Sequence, residues 1–226
     1  MSHTPRTLLI TGASSGIGAA TARAAAAKGW NVALLARSNG KLSALADEIG
    51  DAALAVSVDV TDREALSDAF AKVAEKFGGI DAVFANAGKG TDKPGIEAGD
   101  PDDWHAMIHL NILGVLYAAH TAMPYLRKTK GHFILTGSKA GRDHMKGSVY
   151  SATKWFVHGL SENIAEEMRE WGGRATVIAP GMVNTAFFDE AKPTKLQPED
   201  IAGAVMFALE QSETSAVREI YLMPTD

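Results

Sequence analysis

Tyr150 and Lys154 stand four residues apart in the run Tyr150-Ser151-Ala152-Thr153-Lys154. In a helix, that spacing puts both side chains on one face. A phenol ionises near pH 10, too high for efficient proton exchange at neutral pH, and a neighbouring ammonium favours the phenolate and lowers that value. Such a pair could move a proton. A core-facing tyrosine beside a solvated lysine would show the same spacing. Thr11-Gly12-Ala13-Ser14-Ser15-Gly16-Ile17-Gly18 is a second candidate. Glycines there let the chain turn sharply and let a pyrophosphate approach the main chain, and a helix starting there offers free N–H groups and the positive end of its dipole. Ordinary tight turns use glycine too. His105 and His109 have the i, i+4 spacing of two metal ligands, but the Ala106-Met107-Ile108 between them lacks the glutamate of HExxH and no third ligand is evident, so no metal is expected. No GxSxG elbow supports a Ser-His-Asp hydrolase.

The elements that would position these residues alternate along the chain. Short β-branched or Leu-rich runs predict strands at Thr7–Thr11, Asn31–Ala36, Ala53–Val58, Ile80–Ala85, His132–Thr136, Ala175–Ala179 and Glu219–Leu222. Most are continuous apolar runs, as expected of strands covered on both faces. Between them, helices are predicted over Ile17–Lys28, Lys41–Ile49, Arg63–Phe77, Asp102–Lys128, Val149–Trp171 and Pro198–Glu210, with Thr61 and Pro198 as start signals. Repeated βα units imply a doubly wound, Rossmann-type α/β fold: a mainly seven-stranded parallel sheet, helices on both faces, in one domain over residues 1–226. The glycine turn follows the first strand. Two irregular stretches, Lys89–Asp100 and Gly181–Gln197, follow the fourth and sixth strands, so both fall at the carboxyl ends of strands, where such sheets bind ligands.

Composition narrows the function classes. Of 226 residues, 46% are hydrophobic and 22% charged, as in ordinary globular proteins, and the net charge of −5 gives no electrostatic reason to expect nucleic acid or an anionic membrane as partner. Absence of cysteine excludes a thiol nucleophile, a thiolate metal site and a disulfide scaffold. No run approaches the roughly 18 consecutive apolar residues of a membrane span. Met1-Ser2-His3-Thr4-Pro5-Arg6 runs directly into the first strand without room for a signal peptide, so a cytoplasmic protein is expected.

The TGxxxGIG spacing resembles that of the short-chain dehydrogenases/reductases, and the resemblance runs in order from Thr11 to about Pro224. Asp59-Val60 follows the third strand and Asn86-Ala87-Gly88 the fourth; Asn111, Ser138, Tyr150 and Lys154 come next, then Pro180-Gly181-Met182-Val183-Asn184-Thr185 after the sixth. The resemblance implies that Tyr150 is the general acid/base. It implies that Ser138 hydrogen-bonds the substrate oxygen, that Lys154 holds the nicotinamide ribose, and that Asn111 positions a water continuing the proton relay. It also implies a dinucleotide bound by Gly12, Ser14, Ser15, Gly16, Ile17, Gly18, Asp59, Val60, Asn86, Ala87, Gly88, Tyr150, Lys154, Pro180, Gly181, Val183 and Thr185. Where the family often has two serines, this chain has Gly137-Ser138; Ala140-Gly141 aligns Ser138 with the catalytic one.

NAD-binding folds usually place an acid about 20 residues beyond the glycines to grip the ribose 2′-hydroxyl. Here Ala36 takes that place and Arg37 follows. A guanidinium there can bind a 2′-phosphate, so NADP is expected over NAD. A solvated strand-end arginine is the simpler alternative. The reaction expected is interconversion of a secondary alcohol and a carbonyl on a small-molecule substrate. A dinucleotide-binding sensor without turnover, and an isomerase or dehydratase on the same scaffold, are the competing readings. Arg142 and His144 suit a polar or acidic substrate, whereas Phe187-Phe188 suits an apolar one. By analogy with the family, a homo-oligomer built on the long helices is expected.

Overall fold

The computed structural model describes residues 5–91, 93 and 95–225. The start at Met1–Thr4, and positions 92 and 94 of the loop over 89–100, lie outside the described residues.

Apolar strands dominate the centre. β1 (Thr7–Thr11), β2 (Asn31–Ala36), β3 (Ala53–Ser57), β4 (Ala82–Ala85), β5 (His132–Thr136), β6 (Arg174–Pro180) and β7 (Glu219–Leu222) form one parallel sheet in the order β3-β2-β1-β4-β5-β6-β7. Successive strand residues point to opposite faces and so supply two cores. Leu9, Leu35, Val83 and Phe133 join one; Leu8, Ile10, Leu34, Phe84 and Ile134 join the other. The first core is closed by α3 (Arg63–Phe77), α5 (Val115–Thr129) and α6 (Val149–Arg169), and the second by α1 (Gly16–Ala27), α2 (Asn39–Ile49) and α7 (Pro198–Leu209). Alanine-rich α1 lies closely along α7, because small side chains let two helices approach.

Local chemistry ends these elements. Asp62, not Thr61, caps α3, accepting from the N–H groups of Glu64 and Ala65 at 3.1 and 3.0 Å. Gly78 closes α3 at φ 83°. Gln197 precedes Pro198 at the start of α7, and its N–H donates to Asp200 Oδ2 at 2.7 Å. The long helix expected from Asp102 to Lys128 differs. It divides into α4 (Pro101–Ile108), a π-helical segment His109–Gly114, and α5. Pro101–Thr129 is long and apolar enough, at a mean hydropathy of 1.3, to cross a membrane by length and composition alone. Within the fold it packs against α3, α6 and the strands β4 and β5.

Strand order reverses beside β1. The chain runs outward through β2 and β3, then returns to pair β4 with the other side of β1. Connections leaving β1 and β4 diverge there and open a cleft at their carboxyl ends.

Candidate active site

Hydrogen bonds stitch the floor of that cleft together. The Thr11 hydroxyl accepts from the N–H groups of Asn86 and Ala87 at 3.0 and 3.1 Å, and Asn86 Nδ2 donates back to the Thr11 carbonyl at 3.2 Å. Thr136 Oγ1 donates to Asn86 Oδ1 at 3.1 Å. Three strand ends are thereby locked in register, and the Asn86 side chain is occupied in doing so. Above them the glycine turn leaves no room for side chains. A Cβ on Gly12 (φ 68°) would stand 2.9 Å from the Ala87 Cα, and one on Gly18 would stand 2.3 Å from the Gly12 carbonyl oxygen. Ser15, at the start of α1, makes no capping bond with its side chain, and no acid lies in the first turn. The main-chain N–H groups there remain available to an anion. Ser14 belongs to the same turn, and Ile17 to the start of α1. The cradle fits the diphosphate of a dinucleotide.

Arg37 and Asp59 meet at the ends of β2 and β3. Arg37 Nη1 lies 3.9 Å from Asp59 Oδ2, with the arginine side chain 78% exposed. Asp59 Oδ1 accepts from the N–H and hydroxyl of Thr61 at 2.9 and 2.7 Å. Burial works against the Asp59 carboxylate, but these hydrogen bonds and the Arg37 charge hold its pKa below the ordinary value. Val60 is buried, and a Cβ on Gly114 of the π-helical segment would stand 3.2 Å from it.

Ser138, Tyr150, Lys154 and Asn111 converge where β4 and β5 end. Ser138 acts on the Tyr150 hydroxyl: burial raises the tyrosine pKa and the Ser138 side chain opposes the rise. Lys154 is buried, its Nζ donates to the Thr136 carbonyl at 2.7 Å, and it lies 5.8 Å from the Tyr150 ring centroid. Desolvation lowers the lysine pKa to about 8. The sequence predicts a phenol pulled down by the ammonium. In the structure, loss of water acts on both groups, raising the phenol and lowering the ammonium. Asn111 is buried in the π-helical segment. Its Nδ2 donates to the Lys89 carbonyl at 2.9 Å and to Thr153 Oγ1 at 3.2 Å, and its Oδ1 accepts from the Lys89 N–H at 2.9 Å. Gly88 sits between Asn111 and Lys154, since a Cβ there would stand 3.2 Å from Asn111 Oδ1 and 3.9 Å from Lys154 Nζ.

The two irregular stretches wall the cleft. Phe187 packs on the Tyr150 ring at 5.6 Å between centroids and on Phe188 at 5.3 Å; a Cβ on Gly90 would stand 2.9 Å from it. Main chain meets main chain where Gly147, three residues before Tyr150, touches Gly95 and Ile96. The segment after β6 is tied down. Gly181 N–H donates to the Leu222 carbonyl at 2.7 Å and Val183 bridges Leu196. Asn184 donates to Gln197 Oε1 at 3.0 Å and accepts from the Lys192 N–H at 2.8 Å. Pro180 ends the strand against Leu222, and Thr185 reaches the glycine turn, 3.1 Å from where a Gly16 Cβ would be. Lys89 is ion-paired to Asp103. Arg142 Nη1 binds Glu219 Oε1 at 3.1 Å and its guanidinium lies 4.7 Å over the Tyr221 ring, while His144 packs on Trp155. His105 and His109 stack on each other at 5.9 Å.

Sequence reasoning missed His158. Its Nε2 accepts the Ser138 N–H at 3.3 Å, and its Nδ1 lies 3.7 Å from Glu219 Oε1. The one available signal was Gly137, a residue without a side chain where a serine is usual.

A family model described as short chain dehydrogenase matches residues 6–196. An uncharacterized oxidoreductase of Staphylococcus aureus (strain USA300) is 37% identical over 227 residues, 98% of each chain. Among solved structures, an alcohol dehydrogenase from the archaeon Thermococcus sibiricus, complexed with 5-hydroxy-NADP, matches with a TM-score of 0.90 at 31% identity over 97% of both chains. A 3-ketoacyl-(acyl-carrier-protein) reductase from Brucella melitensis, complexed with NADH, matches with a TM-score of 0.88 at 26% identity over 96% of both. The parallel sheet, the glycine cradle and these matches make the chain an oxidoreductase belonging to the short-chain dehydrogenase family.

Proposed function

We propose that the protein is an NADP-dependent oxidoreductase interconverting a secondary alcohol and a carbonyl by hydride transfer, with Tyr150 as general acid/base. The observation that carries this reading is the grouping of the Tyr150 hydroxyl, Ser138 and buried Lys154, whose Nζ lies 5.8 Å from the Tyr150 ring centroid. Bound in that cradle, the dinucleotide supplies the hydride. Gly12, Gly16 and Gly18 admit its diphosphate to the start of α1. Arg37, held near Asp59 yet largely exposed, meets a 2′-phosphate without a carboxylate at position 36 to repel it. Lys154 would hold the nicotinamide ribose.

Burial keeps Tyr150 protonated at neutral pH, so the resting site is loaded to donate a proton to a carbonyl oxygen. Ser138 shares that oxygen through its hydroxyl. Charge left on the phenol after donation is opposed by Lys154, whose pKa of about 8 lets it act as a proton carrier near neutrality. Asn111 already makes three hydrogen bonds, which leaves one acceptor site on Oδ1 for the relay water. With Arg142 bound to Glu219, Lys89 bound to Asp103 and Phe187 over Tyr150, the walls favour an uncharged, largely apolar carbonyl compound.

The test is NADPH oxidation, followed by absorbance, with a panel of alkyl and aryl ketones, aldehydes and keto acids. Turnover fastest with uncharged ketones is expected. Tight NADPH binding with no turnover on any carbonyl would overturn the reading in favour of a dinucleotide sensor.

A further inference from the structure

We infer that neutral His158, backed by Glu219 from β7, is a positioning residue that holds Ser138 beside Tyr150, so that protonating this imidazole at low pH slows carbonyl reduction. The inference rests on the reductase reading above.

Its basis is geometric. Ser138 is held from two sides: its hydroxyl oxygen accepts the Ala140 N–H at 3.1 Å, and its own N–H donates to His158 Nε2 at 3.3 Å. A ring nitrogen that accepts carries no proton, so the proton of the neutral ring sits on Nδ1. Nδ1 faces Glu219 Oε1 at 3.7 Å, and that carboxylate is fixed from its other side by Arg142. The imidazole is also wedged in place. A Cβ on Gly137 would stand 2.6 Å from Nε2, and one on Gly141 would stand 2.7 Å from the ring. Glycine at 137 therefore makes the room in which His158 reaches the main chain of its neighbour.

A doubly protonated ring has no acceptor, so the Ser138 N–H would then face another N–H. Burial lowers the His158 pKa and keeps the ring neutral at ordinary pH. Glu219 and the Ser138 backbone raise it, while Arg142 and Lys154, the latter on the same helix, lower it. Arg218, next to Glu219, is engaged with Glu162 and Glu166 further along α6. A protonated phenol alone gives reduction no reason to slow in acid. Loss of the Ser138 anchor does.

The experiment measures kcat for ketone reduction against pH in wild type, His158→Leu, His158→Gln and Glu219→Gln, with ¹⁵N NMR of the imidazole in the resting protein. His158→Leu should lower kcat roughly three- to tenfold, the worth of one hydrogen bond, with NADPH affinity little changed. His158→Gln restores an acceptor that does not titrate, and should recover most of that loss and abolish the acid limb. Glu219→Gln removes the group that raises the pKa, so its acid limb should move to lower pH. A proton found on Nε2 would overturn the inference. So would a wild-type acid limb that persists in His158→Gln. Wild type inactive on every carbonyl would instead sink the reductase reading, and the NMR arm would still decide the tautomer.

Discussion

Burial acts on Tyr150 and Lys154 in opposite directions, and its effect on the lysine reaches stability as well as chemistry. A lysine at about 8 in the fold against an ordinary 10.5 binds its proton less tightly folded than unfolded. Stability from this group is therefore missing at neutral pH and is gained as pH rises from about 8 towards 10.5, at most about 1.4 kcal/mol per pH unit. Lys154→Met removes the buried charge, so urea titrations at pH 7 and 9 should show a variant at least as stable as wild type at pH 7, without the alkaline gain, and without turnover. Tyr150→Phe keeps the ring against Phe187 but removes the proton; kcat should fall by about 10²-fold or more while NADPH still binds, and near-wild-type turnover would refute the assignment. At the cofactor's far end, Ala36→Asp with Arg37→Ile should reverse the preference from NADPH to NADH. One charge-assisted contact is worth about 1.5–3 kcal/mol, roughly ten- to a hundredfold in affinity, as read by titration at fixed low salt. Equal affinity of wild type for both dinucleotides would contradict the reading of Arg37. The identities of these residues were legible from spacing and family likeness. Their ionisation was not, because desolvation depends on what covers a side chain, and the walls come from residues far along the chain. His158 escaped for the same reason: its partners, Ser138 and Glu219, lie 20 residues before it and on the last strand.

At the scale of elements, the first βα junction is the most constrained. Gly18 has no room for a methyl group, since a Cβ would meet the Gly12 carbonyl at 2.3 Å, backbone against backbone. Gly18→Ala should therefore distort the turn at a cost of about 1–3 kcal/mol and lower NADPH affinity at least about tenfold, as measured by thermal unfolding and fluorescence titration. Wild-type affinity in the variant would show that the turn does not carry the diphosphate. Strand positions were readable from the sequence to within two residues, because apolar runs flanked by glycine or polar residues leave little choice. The π-helical segment was not readable. Its periodicity differs from that of the flanking helices over only six residues, His109–Gly114, and no proline or glycine pair announces it. Yet it is this segment that turns Asn111 toward Lys89 and Thr153. Thr61, a start signal in the sequence, does not cap α3: its hydroxyl serves Asp59, leaving Asp62 to cap the helix.

Across the whole molecule, the strand alternation predicted the doubly wound sheet, and the order of the strands then placed the cleft. The reversal of order beside β1 also has a consequence in time. β1 lies inside the sheet, third from the β3 edge, yet its second neighbour comes much later in the chain, and the Thr7 N–H finds its partner on Asp81, 74 residues away. A chain growing from its N-terminus can pair β1 with β2 and β3 early, while the other edge of β1 stays open until β4 arrives. That edge presents unpaired N–H and C=O groups along Leu8-Leu9-Ile10, whose apolar side chains face both sides of the sheet. Distant parallel pairing is slow to form, and an open edge on an apolar strand is where separate chains join. Refolding from urea should therefore lose yield as protein concentration rises, and a concentration-independent yield would show that β1 is shielded before β4 docks. During synthesis, β1 would wait through α1, β2, α2, β3 and α3 before its second neighbour is made.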